Sequence, residues 1–96
     1  MTEPVLVVLT GDIDLLVRES TAAAMEQAAE EAIATGADVV VDLAGVDFMD
    51  SVGLACLAQL AGLLHDRPGT VVLRKPGPQV VRILELAGFA PMIEDP

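Results

Sequence analysis

Residues 39–64 constrain the fold of this chain more than any other stretch. Three consecutive valines end in Asp42, and an unbroken apolar run of this kind is typical of a strand buried on both faces of a parallel sheet. After a loop, Asp50 and Ser51 stand immediately before a long apolar run, where the N-cap of a helix belongs. The stretch therefore predicts a hydroxyl at the N-terminus of a helix. That hydroxyl would lie at the carboxyl edge of the sheet, where ligand and regulatory sites of open α/β folds concentrate.

Strand and helix patterns alternate along the rest of the chain. Val5–Leu9 is an apolar run on both faces, which predicts a central first strand, and residues 19–35 have a helical pattern. Residues 70–74 predict a third strand, Pro78 is suited to open a last helix, and 92–93 predict a short edge strand. We therefore expect one α/β domain over residues 1–96, a mostly parallel sheet of about four strands with covering helices.

Composition excludes several classes of function. A net charge of -10 opposes binding to a phosphate backbone, and only two aromatic residues are present for stacking on bases. No apolar run is long enough to cross a membrane, and the start of the chain has no signal-peptide pattern. The single Cys56 provides no disulfide framework, which fits a reducing cytoplasm. We expect no direct contact with nucleic acid and no membrane insertion.

The apolar run after Ser51 predicts a helix with two apolar faces. A two- or three-layer domain of this size buries only one face of such a helix, so the other is a candidate contact surface. On a helical wheel the side expected to meet the sheet consists of Leu54, Leu57, Leu60, Ala61 and Leu64. The side expected to face outward consists of Val52, Cys56, Gln59 and Leu63.

Ser51 has two compatible interpretations from local sequence. Its hydroxyl can be an N-cap that accepts a backbone N–H, with Asp50 as a second capping oxygen. It can also be a phosphoacceptor, because free N–H groups and the helix dipole stabilise an added dianion there. Asp12 and Asp14 form a polar loop after the first strand, and Asp42 can bond to the turn that follows it.

The remaining polar residues give no enzyme site. Cys56 is interpreted as a small apolar residue, with a reactive thiol as the alternative because the wheel turns it outward. His65 has no serine or cysteine at a recognisable spacing and suits the last turn of a helix. The sequence contains no His/Cys metal cluster and no phosphate-binding glycine loop, so we expect neither a metal nor a cofactor.

The sequence VDLAGVDFMDSVGL over residues 41–54 resembles the signature of the STAS family, and in particular of bacterial anti-sigma factor antagonists. The stretch LTGDID over 9–14 is similar to the family's first strand and loop, and VRILELAGF over 81–89 to its late helix and turn. Many family members have an extra strand before the one at Val5 and a further terminal helix. Little room for that strand precedes Glu3, so the resemblance implies exposed sheet edges and a possible homodimer.

The resemblance implies a switch built on binding. The unphosphorylated protein would bind an anti-sigma factor that is also a serine kinase and so free the sigma factor. Phosphorylation at Ser51 would end that binding, and a serine phosphatase would restore it. Asp50, Val52 and Gly53 would form the phosphorylation loop, with Val52 departing from the small polar residue that relatives often have. The partner would contact Asp12 and Asp14 as well as the outward side of the helix.

Two other functions compete with this one. Phosphoacceptor receiver domains have acidic residues after their strands and a Lys-Pro pair after the last strand. A similar set is present in this chain, with Asp12, Asp14, Asp42 and Lys75. The chain is shorter than a receiver by about one βα unit, and Asp42 follows the second predicted strand rather than the third. The alternative within the resemblance is a STAS regulatory subunit of a phospholipid-transport ABC system, which binds an ATPase subunit. An enzyme has no support from any visible nucleophile and base.

Overall fold

The computed structural model describes residues 2–67 and 69–94, which form a sheet of three parallel strands with helices on its two faces. The strands are β1 (Val5–Ile13), β2 (Val39–Met49) and β3 (Val71–Arg74). The helices are α1 (Arg18–Thr35), α2 (Ser51–Leu63) and α3 (Pro78–Leu86), with 3₁₀ turns at Leu15–Val17 and Ala90–Met92. The predicted α/β class with a parallel sheet is confirmed, with three strands in the described residues instead of about four.

The strand order is β1-β2-β3, so β2 lies in the centre of the sheet. Its three valines are all buried, and because neighbouring residues of a strand point to opposite faces, both faces of β2 are covered. The connections from β1 to β2 and from β2 to β3 step in the same direction across the sheet, and such crossovers are right-handed. The helices that they contain, α1 and α2, therefore lie on the same face and pack against each other, while α3 packs on β2. Fully buried Met25, Leu60 and Leu84 come from the three helices in turn.

The prediction that β1 is central is wrong. β1 lies at the edge of the sheet, and Leu6 and Val8 on its outer face are more than half exposed. Their neighbours Val7 and Leu9 are buried on the face covered by α1. An apolar run on both faces normally indicates burial on both sides, but here α3 covers the outer face of β2 and leaves that of β1 open.

The predicted edge strand at 92–93 forms only in part. Ala90–Met92 is a 3₁₀ turn, and Ile93 makes a single parallel bridge to Leu73 on β3. Glu94 next to it binds Arg74 through two hydrogen bonds of 3.1 and 3.2 Å to the guanidinium. This pairing lowers the pKa of the Glu94 carboxyl and raises that of Arg74. The end of the described chain is thus fastened to β3 by one bridge and one ion pair.

Candidate functional site

The start of α2 is held against the end of β1. Asp12 and Ile13 of β1 pair with Phe48 and Met49 of β2, and the Asp50 backbone N–H donates to the Ile13 carbonyl at 3.3 Å. The loop that contains Asp12 and Asp14 and the loop that contains Ser51 therefore meet at one edge of the sheet. The structure brings together two segments that are more than thirty residues apart in the sequence.

Asp50, and not Ser51, is the N-cap of α2. Its backbone is extended, with φ -105° and ψ -165°, and its Oδ1 accepts the Val52 N–H at 2.8 Å. Ser51 is the first residue of the helix itself, so its side chain is not placed to cap. The prediction of Ser51 as the cap is wrong by one position, because aspartate and serine are about equally good caps and local sequence does not rank them.

The Ser51 hydroxyl is consequently free. Ser51 is exposed, and none of the side-chain hydrogen bonds among residues 2–67 and 69–94 involves its oxygen. The prediction that it lies at a helix N-terminus in contact with solvent is confirmed. An exposed hydroxyl without an internal partner can be modified without breaking any bond that holds the fold.

A matched pair of substitutions tests this division of roles. Asp50→Ala is expected to lower the free energy of unfolding by about 1 kcal/mol, because α2 loses its only side-chain cap. Ser51→Ala should change it by less than about 0.5 kcal/mol, since no hydrogen bond of the described structure is lost. Urea unfolding of both variants measures the difference. A larger loss for Ser51→Ala than for Asp50→Ala would contradict the assignment of the cap.

Gly53 allows α2 to lie close to the strand ends. A Cβ at this position would be 3.0 Å from the Ile13 Cγ2 and still closer to the Met49 Cγ, and both of these side chains are buried. Val52 between Ser51 and Gly53 is half-buried. Gly53 therefore sets the position of the first turn of α2, and with it the position of Ser51.

The acidic loop after β1 is ordered by Asp14. Its Oδ1 accepts the Leu16 N–H at 3.0 Å, and its carbonyl accepts the Val17 N–H at 3.2 Å, which forms the 3₁₀ turn before α1. Asp12 is exposed and Asp14 half-buried, so Asp12 is the freer of the two carboxylates. This turn pushes the side chains of Leu15 and Leu16 into solvent, with Leu16 92% exposed.

Leu15 and Leu16 are candidate contact residues that sequence reasoning missed. Two adjacent leucines at a strand-helix junction look like core residues in a periodicity analysis. The available signal was their position directly after the Asp14 turn, outside the apolar stripe of α1. An apolar pair this exposed, directly after the acidic loop that meets the start of α2, fits a surface for a protein partner.

The predicted outward side of α2 is partly wrong. Cys56 is only 5% exposed and Val52 half-buried, because this side of α2 packs against α1. Gln59 is exposed but its Nε2 donates to Glu26 Oε1 on α1 at 3.2 Å, and Leu63 is 41% exposed. The side of α2 that does face solvent is offset around the helix from the predicted side by about one residue. It includes Ser51, Ala55, Ala58 and Gly62.

The burial of Cys56 also decides the state of its thiol. Burial raises the pKa of the Cys56 thiol, and the positive charge of Arg18 offsets this only in part. The thiol is therefore protonated at neutral pH, and a protonated buried thiol is a poor nucleophile. The interpretation as a small core residue holds, and the alternative of a reactive thiol does not.

The receiver-domain alternative fails on geometry. Asp42 pairs with Val8 in the middle of the sheet, four residues and about 13 Å along the strand from Asp12. Its Oδ1 accepts the Ala44 N–H at 2.9 Å, as the sequence allowed. Within the described residues no three His, Cys, Asp or Glu side chains are placed to hold a metal ion. The acidic residues therefore do not form the single pocket that a receiver needs.

His65 lies beyond α2 on the surface, with Nε2 3.5 Å from the Asp66 Oδ1, and both side chains are mostly exposed. No helix in the described part of the chain combines the length and apolar character needed to cross a bilayer.

Comparison with known proteins agrees with this architecture. The family model described as "Mlab, STAS domain" matches residues 2–94, and no curated protein sequence matches. The solved structure of the anti-sigma factor antagonist SpoIIAA in its unphosphorylated form is 24% identical, with a TM-score of 0.79 over 100% of this chain and 84% of that one. At that identity the likeness concerns the fold alone.

A second solved structure is that of the Bacillus cell fate determinant SpoIIAA in the phosphorylated form. It is 25% identical, with a TM-score of 0.69 over 100% of this chain and 86% of that chain. The resemblance drawn from residues 9–14, 41–54 and 81–89 is confirmed by the family match. Because that match spans nearly the whole chain, this protein belongs to the STAS domain family.

Proposed function

We propose that this protein is an anti-sigma factor antagonist whose activity is switched at Ser51. The observation that carries the proposal is the free, exposed hydroxyl at the first residue of α2, with Asp50 as the cap of the helix. SpoIIAA, which shares the fold, is an anti-sigma factor antagonist with solved unphosphorylated and phosphorylated forms. The unphosphorylated chain binds an anti-sigma factor with serine kinase activity and so releases the sigma factor.

The protein is the substrate of this kinase and not itself an enzyme. The Ser51 Oγ attacks the γ-phosphorus of ATP held by the kinase, ADP leaves, and the hydroxyl proton passes to a base of the kinase. Hydrolysis by a serine phosphatase restores the hydroxyl. Asp50 and Gly53 hold the acceptor in place, the first by capping α2 and the second by its close approach to Met49. The setting of this exchange is the cytoplasm.

The phosphate acts on binding through charge. A phosphoryl group adds about two negative charges next to Asp50, on a chain whose net charge is already -10. The contact surface we assign consists of exposed residues of the two loops and of the first turns of α2, namely Asp12, Leu15, Leu16, Ser51 and Ala55. Burying a dianion against an apolar or acidic partner surface costs several kcal/mol, so binding is lost.

Affinity capture from the native cytoplasm tests the proposal. The partner retained by the unphosphorylated protein should phosphorylate it when ATP is added, with the phosphate at Ser51 by mass spectrometry. The phosphate should survive hydroxylamine, which cleaves an aspartyl phosphate. Ser51→Ala is the control, and it should retain the partner without accepting phosphate. A captured partner without kinase activity would overturn the proposal.

The exposed leucines provide a matched test of the contact surface. Leu16→Ala should weaken binding to the anti-sigma factor about tenfold, because burying this side chain removes apolar area from water. Leu86→Ala is the control, since Leu86 on α3 is 84% exposed and is not part of the contact surface that we assign. Neither variant should change the melting temperature by more than a few degrees. Equal affinities of both variants and the wild type, by calorimetry, would place the contact surface elsewhere.

A second function remains a candidate because the matching family model is described as "Mlab, STAS domain" and not as an anti-sigma factor antagonist. In this alternative the chain is a regulatory subunit of a phospholipid-transport ABC system and binds its ATPase subunit. Capture of an ATPase that leaves Ser51 unmodified supports this alternative.

Self-association is a further property that we propose, at the edge of β1. No charged residue lies between Pro4 and Gly11, and Leu6 and Val8 are exposed on the uncovered face. An edge strand without charges is prone to pair with another strand. A homodimer would be detected by sedimentation.

A further inference from the structure

A shallow groove runs between the first turns of α1 and α2. Arg18, the first residue of α1, lines it together with Ser51 and Ala55 of α2, and Cys56 lies at its base. The groove is formed because α1 packs along α2 on the same face of the sheet. The proposed phosphoacceptor and an arginine therefore share one concave surface although they are thirty-three residues apart in the sequence.

Arg18 is free to bind an anion. Within residues 2–67 and 69–94 the ion pairs are His65 with Asp66 and Arg74 with Glu94, and Arg18 takes part in neither. The chain has 15 acidic residues and only 5 lysines and arginines, so positive charge of any kind is scarce on this surface. The positive charge of Arg18 also reaches into the groove, where it opposes the rise that burial causes in the pKa of the Cys56 thiol.

We propose that Arg18 is a positioning residue that binds the phosphoryl group on Ser51 across this groove. The inference rests on the proposed function in one respect, namely that Ser51 carries the phosphate. A guanidinium has a planar fork of N–H donors that matches two phosphate oxygens, and its long side chain spans a groove of this kind. The pair fixes the phosphoryl group between the two helices instead of leaving it to rotate in solvent.

The pairing has a measurable consequence in the isolated protein. A nearby cation favours the dianion of a phosphate and therefore lowers its second pKa. Phosphoserine is installed at position 51 during translation, which makes the experiment independent of the kinase. The second pKa is then measured by ³¹P NMR titration for the otherwise unchanged chain and for Arg18→Ala. It should be higher in Arg18→Ala by about 0.3–0.7 units, as for a solvent-exposed ion pair, and the difference should shrink in high salt.

Arg67→Ala is the matched control. Arg67 lies beyond the other end of α2, a helix of 13 residues and so about 20 Å long, and its charge is screened at that distance. The phosphate should titrate in Arg67→Ala as it does with both arginines present. Equal titration of the Arg18→Ala phosphate, or an equal shift in Arg67→Ala, would overturn the inference.

Failure of the proposed function would be recognised separately. If Ser51 is not the switch, the protein with phosphoserine at 51 binds the anti-sigma factor as tightly as the unmodified protein. That result leaves the effect of Arg18 on the phosphate pKa unchanged. The two proposals therefore fail in different experiments.

Discussion

Ser51→Asp is expected to lose binding to the anti-sigma factor while keeping its fold. The substitution places a carboxylate at the first residue of α2, where the helix dipole favours negative charge, so the melting temperature should be equal to or slightly above that of the wild type. The same carboxylate stands beside Asp50 in the contact surface that we propose, and would have to be desolvated on binding. We expect the affinity to fall at least about tenfold, which corresponds to about 1.4 kcal/mol.

Ser51→Ala is the matched control for this loss. It removes a hydroxyl that makes no hydrogen bond in the described structure, so both stability and affinity should stay close to those of the wild type. Calorimetry of both variants against the anti-sigma factor, alongside thermal melts, measures the two effects. Equal affinities would leave Ser51 as a surface residue of the first helical turn without a role in binding.

Gly53→Ala should be the most destabilising small substitution in α2. The added methyl group would collide with Ile13 and Met49, which are buried and have little room to move, and overpacking of this kind costs about 1–3 kcal/mol. Because the first turn of α2 must shift to relieve the collision, the Ser51 hydroxyl is displaced too. The phosphorylation rate should therefore fall more than the loss of stability alone explains.

Gly62→Ala is the control in the same helix, because it replaces a glycine by alanine without a steric clash. A Cβ at Gly62 has no atom within 4 Å, so alanine brings only its better helix propensity, about 0.5–1 kcal/mol. Urea unfolding should show Gly53→Ala less stable and Gly62→Ala more stable than the wild type. If both glycine variants gain stability, the close approach of α2 to the strand ends is not what requires glycine at position 53.

The sequence was sufficient for features that depend on strong local patterns. The three valines before Asp42 predicted a strand buried on both faces, and β2 is that strand. Leu57, Leu60 and Leu64 were expected against the sheet and are buried. Such patterns succeed because burial of apolar side chains dominates the choice of structure.

Features that depend on how elements pack together were not predictable to the same degree. The sequence of a helix with almost no polar side chain does not indicate which of its apolar sides packs against a second helix. Cys56 was for this reason expected on the exposed side, whereas it is buried against α1. The apolar pattern of β1 did not reveal that its outer face has no cover. The N-cap was displaced by one residue because Asp50 and Ser51 have similar capping ability.

We expect one phosphate at Ser51 to decide whether this protein binds its partner. The most direct measurement is calorimetry of the anti-sigma factor against two forms of the chain, one unmodified and one with phosphoserine installed at position 51. We expect measurable binding by the unmodified form and affinity at least about a hundredfold weaker for the phosphorylated form, a difference of about 2.8 kcal/mol. Equal affinity of the two forms, with both correctly folded, would show that Ser51 is not the switch.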